Sequence, residues 1–248
     1  MIKSLIVFLI LLLFVIIPNA LMAEKKEFNV PIGHWPPFAI TDKKPYTGID
    51  IDLWNEIEKR LDVDIKIKKY PWSRSLSNMK QGKSDAISGI AKRAQREEYM
   101  HYIQTPYYTC TTVFYVRKGD SNKITKYEDL YKFNIGYVTN SAYFLKFDKD
   151  KKLKKRAVTR EIQLLEMLKA KRFDTIIGTD CQVDYELAQL DLIDEFKKAI
   201  YKPGNKVDLY VTISKKSAYI KELNKITKVV EDIINEGLVK EFAKKYYE

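Results

Sequence analysis

Cysteine and histidine are nearly missing from this chain: Cys110, Cys181, His34 and His101 are the full complement in 248 residues. Neither histidine stands at ligand spacing from a cysteine, so a structural or catalytic zinc site is not expected. No base lies near either thiol in sequence, which argues against nucleophilic catalysis by cysteine. An oxidising compartment would permit a disulfide, but spacing alone does not bring two Cα atoms within the roughly 7 Å that a bridge requires. Two buried free thiols are the favoured reading, with a bridge as the alternative. Low-complexity linkers are absent as well, and so is a long hydrophobic span. The longest apolar run, Leu5 to Ile17, is short of the about 20 residues that cross a bilayer.

That run has another use. Lys3 precedes it, and Pro18, Asn19 and the small-residue stretch to Ala23 follow it. A charged start, an apolar middle and alanine before the cut are the layout of a cleavable signal peptide. Residues 1–23 are therefore read as removed on export, in preference to an uncleaved anchor. No cysteine follows the apolar run, so lipid attachment of the bacterial lipoprotein kind is not expected.

The formal charge is +11, and removal of residues 1–23 takes away only Lys3 among the charged side chains. The lysines are spread along the chain and interleaved with carboxylates, as in Glu56 to Arg60, which reads as solvated surface and not as a nucleic-acid footprint. The densest patch, Lys149 to Arg156, is read as a charged helix or loop face. With 46% hydrophobic and 12% aromatic residues, the chain can bury a substantial core, and its length suits one large domain or two small lobes.

Periodicity alternates between strand and helix. Phe28–Ile32 reads as a strand; Leu53, Ile57 and Leu61 mark one face of a helix; Val63–Ile67 alternates as a strand; Pro71-Trp72 breaks it. A helix over 73–81 stops at Gly82, and Asp85-Ala86-Ile87 enters the next strand. Ala91–Met100 reads as loop then helix, and Thr109–Val116 as a β-branched and aromatic strand. The pattern then recurs: a strand over 133–138, cap chemistry at Thr139-Asn140-Ser141, a helix with Ile162, Leu165 and Leu168, and a strand at Phe173–Ile177. Pro203-Gly204-Asn205 is a turn before the strand Leu209–Ile213, and a final helix breaks at Gly237 and resumes. The result is an α/β protein whose two parts are built alike.

Several motifs in order carry a family resemblance. Tyr46-Thr-Gly-Ile-Asp-Ile-Asp-Leu-Trp54 is followed by Pro71-Trp72-Ser73-Arg74, Gly82-Lys-Ser-Asp-Ala-Ile87, Arg96-Glu97, Thr105-Pro-Tyr-Tyr108 and the closing Glu236 to Tyr247. This series resembles the bacterial extracellular solute-binding proteins of family 3, in a Pro-Trp-x-Arg branch. The resemblance implies a type II periplasmic-binding-protein fold, two lobes each with a mixed sheet flanked by helices, and a ligand in the cleft between them. Lobe 1 would comprise 24–109 plus 208–248 and lobe 2 would comprise 110–207, hinged near Thr109–Thr112 and Tyr201–Val207.

The resemblance also implies site roles. Arg96 would grip the ligand carboxylate with its guanidinium fork, and Asp180, or its rival Thr179, would meet the ammonium. Asp180 is favoured because only a carboxylate neutralises a cation. Trp35 and Trp72 would be aromatic walls, and Thr139, Asn140 and Ser141 would add donors at a helix N-terminus. Ser88 and Gly89 would offer backbone groups. Ala91 stands where many amino-acid binders have a hydroxyl, and Arg93 where they often have threonine; with Arg74, these departures admit a dicarboxylate, small peptide or opine-like ligand. The implied protein is a periplasmic monomer with no cofactor and no nucleic-acid partner. It would pass a polar amino acid or related zwitterion to an inner-membrane ABC permease. A sensory module or a cyclohexadienyl-dehydratase-like enzyme are the alternatives.

Overall fold

The computed structural model describes residues 27–247; the signal-peptide expectation lies outside them. In the first lobe, β1 (Glu27–Ile32) and β2 (Asp64–Lys69) pair in parallel, joined through α1 (Ile49–Leu61). The apolar spacing of α1 buries Ile49, Leu53, Trp54, Ile57 and Leu61, with Asp50 and Asp52 in its first turn and Lys59 and Arg60 in its last, signs that suit the helix dipole. Gly48, which precedes it, has φ +126°, and a Cβ there would stand 2.3 Å from the Phe38 carbonyl oxygen, so only glycine allows this entry. The α2 helix (Trp72–Gln81) starts after Pro71 and ends on Gly82. Then follow β3 (Ala86–Ile90), the single turn α3 (Ala94–Glu97) and β4 (Met100–Tyr102).

The long strand β5 (Tyr108–Arg117) leads into the second lobe: β6 (Asn134–Val138), α4 (Leu145–Lys149), β7 (Lys154–Val158), α5 (Glu161–Lys169), β8 (Thr175–Thr179), α6 (Asp180–Gln189) and β9 (Phe196–Lys198). The chain returns through β10 (Lys206–Ser214) and ends in α7 (Leu223–Asn235) and α8 (Leu238–Tyr247) against the first lobe. One sheet path, β3-β10-β5-β8-β6-β7, runs through both lobes. Its crossing point is the antiparallel pairing of Tyr108–Thr111 in β5 with Lys206–Leu209 in β10.

Each lobe has its own core. In the first, Phe28, Leu53 and Trp54 pack with Ile226, Val230 and Val239 of the closing helices. In the second, β5 obeys the two-residue period of a strand buried on both faces: Phe114 and Val116 face one cluster with Phe147, and Val113 and Tyr115 face another with Leu165 and Val183. This is the two-lobed mixed α/β fold expected from the sequence. No described helix is long and apolar enough to cross a membrane.

Three local expectations are corrected. Thr139-Asn140-Ser141 does not cap a helix: Asn140 takes a left-handed turn conformation, φ 60°, and the next helix, α4, begins at Leu145 and is one turn long. The basic stretch Lys149–Arg156 is neither a helix nor a loop face throughout, because its last three residues lie in β7. That strand is the edge of the sheet path, and lysines on an edge strand oppose pairing with another chain. Finally, Cys110 and Cys181 are not free thiols but form a disulfide with Cα atoms 5.6 Å apart. The register explains it. Thr112 of β5 sits opposite Thr179 of β8, so two residues further on, position 110 comes to lie against the start of α6.

Candidate functional site

A cleft of about 440 Å³ lies between the lobes, within the size range of small-molecule sites. From the first lobe, Trp35, Trp72, Ser88, Gly89, Ala91 and Arg96 line it, together with Asp50. From the second lobe come Ser141, Thr179, Glu161 and Gln182.

Arg96 is the central cation. Its residue is only 7% exposed. Nη1 donates to the Ala91 carbonyl and Nη2 to the Asn140 carbonyl of the other lobe, each at 2.8 Å, and the guanidinium lies 5.6 Å from the Trp72 ring centroid. Burial pulls its pKa below the ordinary arginine value, and Tyr102 and Tyr99 offset part of that; the group stays charged at any relevant pH. Among the described residues no carboxylate pairs with it. A buried guanidinium bonded only to neutral carbonyls is poised for an anion.

Asn140 does not line the cleft but ties the lobes together. Besides the Arg96 contact, its carbonyl accepts from Trp72 Nε1 at 3.2 Å, and its Nδ2 donates to Ser73 Oγ at 2.8 Å. Arg93, weighed as an extra cation for the cleft, is instead paired with Asp148 of the second lobe at 2.8 Å.

Asp50 was not singled out from sequence. It belongs to the apolar stripe of α1, one turn before Leu53 and Trp54, and a carboxylate on a buried helix face is the signal that could have found it. Tyr107 donates to Oδ1 at 2.6 Å and Ser88 to Oδ2 at 2.8 Å, while Trp54 Nε1 donates to Ser88 Oγ at 2.9 Å. Gly89 completes the packing at φ +69°: a Cβ there would stand 3.2 Å from both Asp50 Oδ2 and the Trp35 ring. Trp35 itself stacks on Phe38 with centroids 4.4 Å apart.

Burial pushes the Asp50 carboxyl up to about 6, against the opposing pull of the Tyr107 and Ser88 hydroxyls. Folded Asp50 therefore holds its proton more tightly than the unfolded chain does. Its stabilising share is complete below the ordinary aspartate value and is lost as pH rises through about 6, a difference of about 3 kcal/mol. Urea unfolding at about pH 4 and pH 7 should show a steeper loss of stability in the wild type than in Asp50→Asn. Parallel losses would mean that Asp50 titrates normally.

Several positions expected in the site lie elsewhere. Asp180 does not line the cleft: its Oδ1 accepts from the backbone N–H of Thr111 at 2.7 Å and of Cys181 at 2.8 Å, beside the disulfide. Its rival Thr179 does line the cleft. Arg74 is exposed on α2 and Thr139 is partly buried, and neither is among the lining residues. The expectation missed Glu161 and Gln182 because the helices that carry them were placed by apolar spacing alone, or, for α6, not placed at all.

Two α/β lobes around a small cleft walled by a buried arginine have the frame of a solute binder. Residues 31–248 match the bacterial extracellular solute-binding proteins of family 3, and the chain belongs to that family. Among its relatives, the probable amino-acid-binding protein YxeM of Bacillus subtilis is 23% identical over 237 residues, covering 92% of this chain and 88% of that protein. The L-cystine-binding protein TcyA of the same species is 22% identical over 221 residues, covering 87% and 78%. Among solved structures, the amino-acid ABC transporter substrate-binding protein AbpA of Streptococcus pneumoniae, bound to L-arginine, superposes with a TM-score of 0.76 at 19% identity. That likeness covers 89% of this chain and 94% of that one.

Proposed function

We propose that this protein captures an amino acid between its lobes outside the cytoplasmic membrane and delivers it to an ABC permease. The observation that carries this reading is Arg96: a buried, permanently charged fork at the cleft wall with no carboxylate partner among the described residues is matched by a ligand carboxylate. Trp35 and Trp72 offer flat faces for the rest of the ligand, and Ser88, Gly89 and Ser141 offer polar groups beside it. The names of relatives that bind amino acids, cystine or arginine support the same class. Residues 1–23 act as the export signal. The Tyr108–Thr111 and Lys206–Leu209 crossing is the hinge, which puts the lobe boundaries near residues 109 and 207. Hinge closure is the motion that desolvates a ligand on all sides in such proteins. The Pro71-Trp72-Ser73-Arg74 element supports a Pro-Trp-x-Arg branch of the family for this chain.

A thermal-shift screen of residues 24–248 against the standard L-amino acids, L-cystine, dicarboxylates and small peptides tests the reading. A ligand at 100 times its Kd adds about 2.7 kcal/mol, which for a chain of this size raises Tm by roughly 5 to 10 °C. At least one amino acid should do so. A response confined to dicarboxylates or peptides would redirect the ligand class, and no response to amino acids at saturating concentration would refute it.

A further inference from the structure

Arg96 accounts for one end of an amino acid; the cationic end needs a partner too, and the residue expected to supply it is turned away. Asp180 is committed to the Thr111 and Cys181 amides, and Thr179 carries no charge. The acids among the described cleft-lining residues are Asp50 and Glu161. Asp50 already receives a hydroxyl proton on each of its oxygens. Glu161, the first residue of α5, has no ion-pair partner among the described residues, and only its own backbone N–H supports the carboxylate.

A second observation marks the same wall. Gln182, on α6, is 1% exposed, lines the cleft, and leaves Nε2 without a hydrogen-bond partner, as Glu186 leaves Oε2. Buried polar atoms are nearly always satisfied, and an unpaired one is costly. An amide can present either its oxygen or its nitrogen, so Gln182 can serve a ligand cation directly or brace a carboxylate that does.

We propose that Glu161, together with Gln182, forms the second-lobe subsite for a cationic nitrogen of the ligand, its α-ammonium or the cationic end of its side chain. The proposal rests on the amino-acid reading above. Such a subsite binds with a proton exchange. Burial first, and then the nearby Glu186, push the Glu161 carboxyl up to about 8, its own backbone N–H holding it back in part. Glu186 is itself raised to about 7 by burial, and the adjacent Gln182 amide tempers this without meeting hydrogen-bond geometry. Without a ligand cation, Glu161 therefore keeps its proton to higher pH than an ordinary glutamate does. A cationic ligand favours the ionised form, and the carboxyl proton leaves to water while the ligand keeps its own.

Other titratable and charged groups face the same space: Glu186 from α6, Tyr143 from the segment after β6, Arg160 next in the chain, and His34, Lys69 and Asp50 from the first lobe. Burial lowers the His34 pKa, Asp42 raises it, and Lys69 and Arg160 lower it further. Asp50, raised to about 6, and His34, lowered from its ordinary value, can therefore add their own slope below neutral pH, which a Glu161 variant retains and so subtracts.

The test is calorimetric titration of the wild type, Glu161→Gln and Glu186→Gln with the twenty standard L-amino acids and L-cystine, at pH 6 and pH 8, in buffers of different ionisation enthalpy. Each binder is paired with its des-amino acid and, where its side chain is cationic, with a neutral isostere such as L-citrulline for L-arginine. Wild-type affinity should rise roughly tenfold or more from pH 6 to pH 8, with close to one proton released per ligand near pH 7. Glu161→Gln should weaken binding roughly 30-fold or more at pH 8 and remove that proton release. Glu186→Gln should keep the pH 8 affinity and move the rise to lower pH. Within the proposal, loss of the Glu161 effect with the des-amino acid identifies the α-ammonium, and its loss with the neutral isostere identifies the side chain. Unchanged affinity and pH profile in Glu161→Gln overturn the proposal while wild-type binding leaves the amino-acid reading standing. Absence of any binding to the wild type removes both. Should Glu161→Gln not fold, absence of proton release from the wild type is the overturning result.

Discussion

Arg96→Ala is expected to reduce affinity for the bound amino acid by roughly 30-fold to several-thousand-fold, the range that corresponds to about 2 to 5 kcal/mol for truncating one member of a buried charge pair. The size follows from where the guanidinium sits. At 7% exposure its charge is shielded little by water, and the neutral carbonyls of Ala91 and Asn140 orient it without neutralising it. A ligand carboxylate would supply the missing charge through two parallel hydrogen bonds. Arg96→Lys should recover only part of the loss, because an ammonium cannot present the planar fork. Folding should survive, since removing a buried cation that lacks an anionic partner also removes its desolvation cost. Calorimetric titration with the ligand from the screen, alongside thermal unfolding, decides the matter. Near-native affinity in Arg96→Ala would place the carboxylate elsewhere.

The second large effect belongs to the disulfide. Cys110 and Cys181 close a loop with a sequence separation of 71, and constraining a loop of that length in the unfolded chain is worth up to about 4 kcal/mol in the chain-entropy account, typically 2 to 4 in practice. The double substitution Cys110→Ser with Cys181→Ser should lower Tm by roughly 5 to 15 °C. Wild type unfolded in the presence of a strong reductant should approach the same midpoint, and the reductant should have no effect on the double variant. If the two proteins unfold at one temperature under oxidising conditions, the bridge contributes nothing to stability. The bond also staples β5, at the crossing between the lobes, to the start of α6, next to Thr179 on the cleft wall. Loss of the bridge should therefore disturb binding more than a substitution of equal cost in the outer core of either lobe.

Much of the architecture was legible along the chain because it is local. Leu53, Ile57 and Leu61 recur at helical spacing, β5 is mostly β-branched and aromatic, Pro71 and Gly82 bracket α2, and Gly237 separates α7 from α8; each signal acts over a few residues and needs no partner to be read. Arg96, Trp35, Trp72, Ser88, Gly89 and Ala91 were placed by motif register, and all of them line the cleft. The second-lobe wall was less legible. Asp180 and Thr179 are neighbours in sequence, and which of the two reaches the cleft depends on how β8 turns into α6, where the backbone amides of Thr111 and Cys181 capture the Asp180 carboxylate. Glu161 resembles any acidic residue in the first turn of a helix until α5 is set against the cleft.

The sequence by itself determined the class of fold, the order of most of its strands and helices, and a position for Arg96 that the structure brings to the cleft wall, because hydrophobic period, helix stops and motif order are written in adjacent residues. Only the tertiary structure decided the pairing of Cys110 with Cys181, the burial of Asp50 beneath Tyr107 and Ser88, the interlobe contacts of Asn140, and the choice of Glu161 over Asp180 as the second-lobe acid at the cleft. Each of these depends on residues far apart in the chain meeting at a fixed distance. The register of β5 against β8 and the docking of one lobe on the other set that distance, and no local preference encodes it.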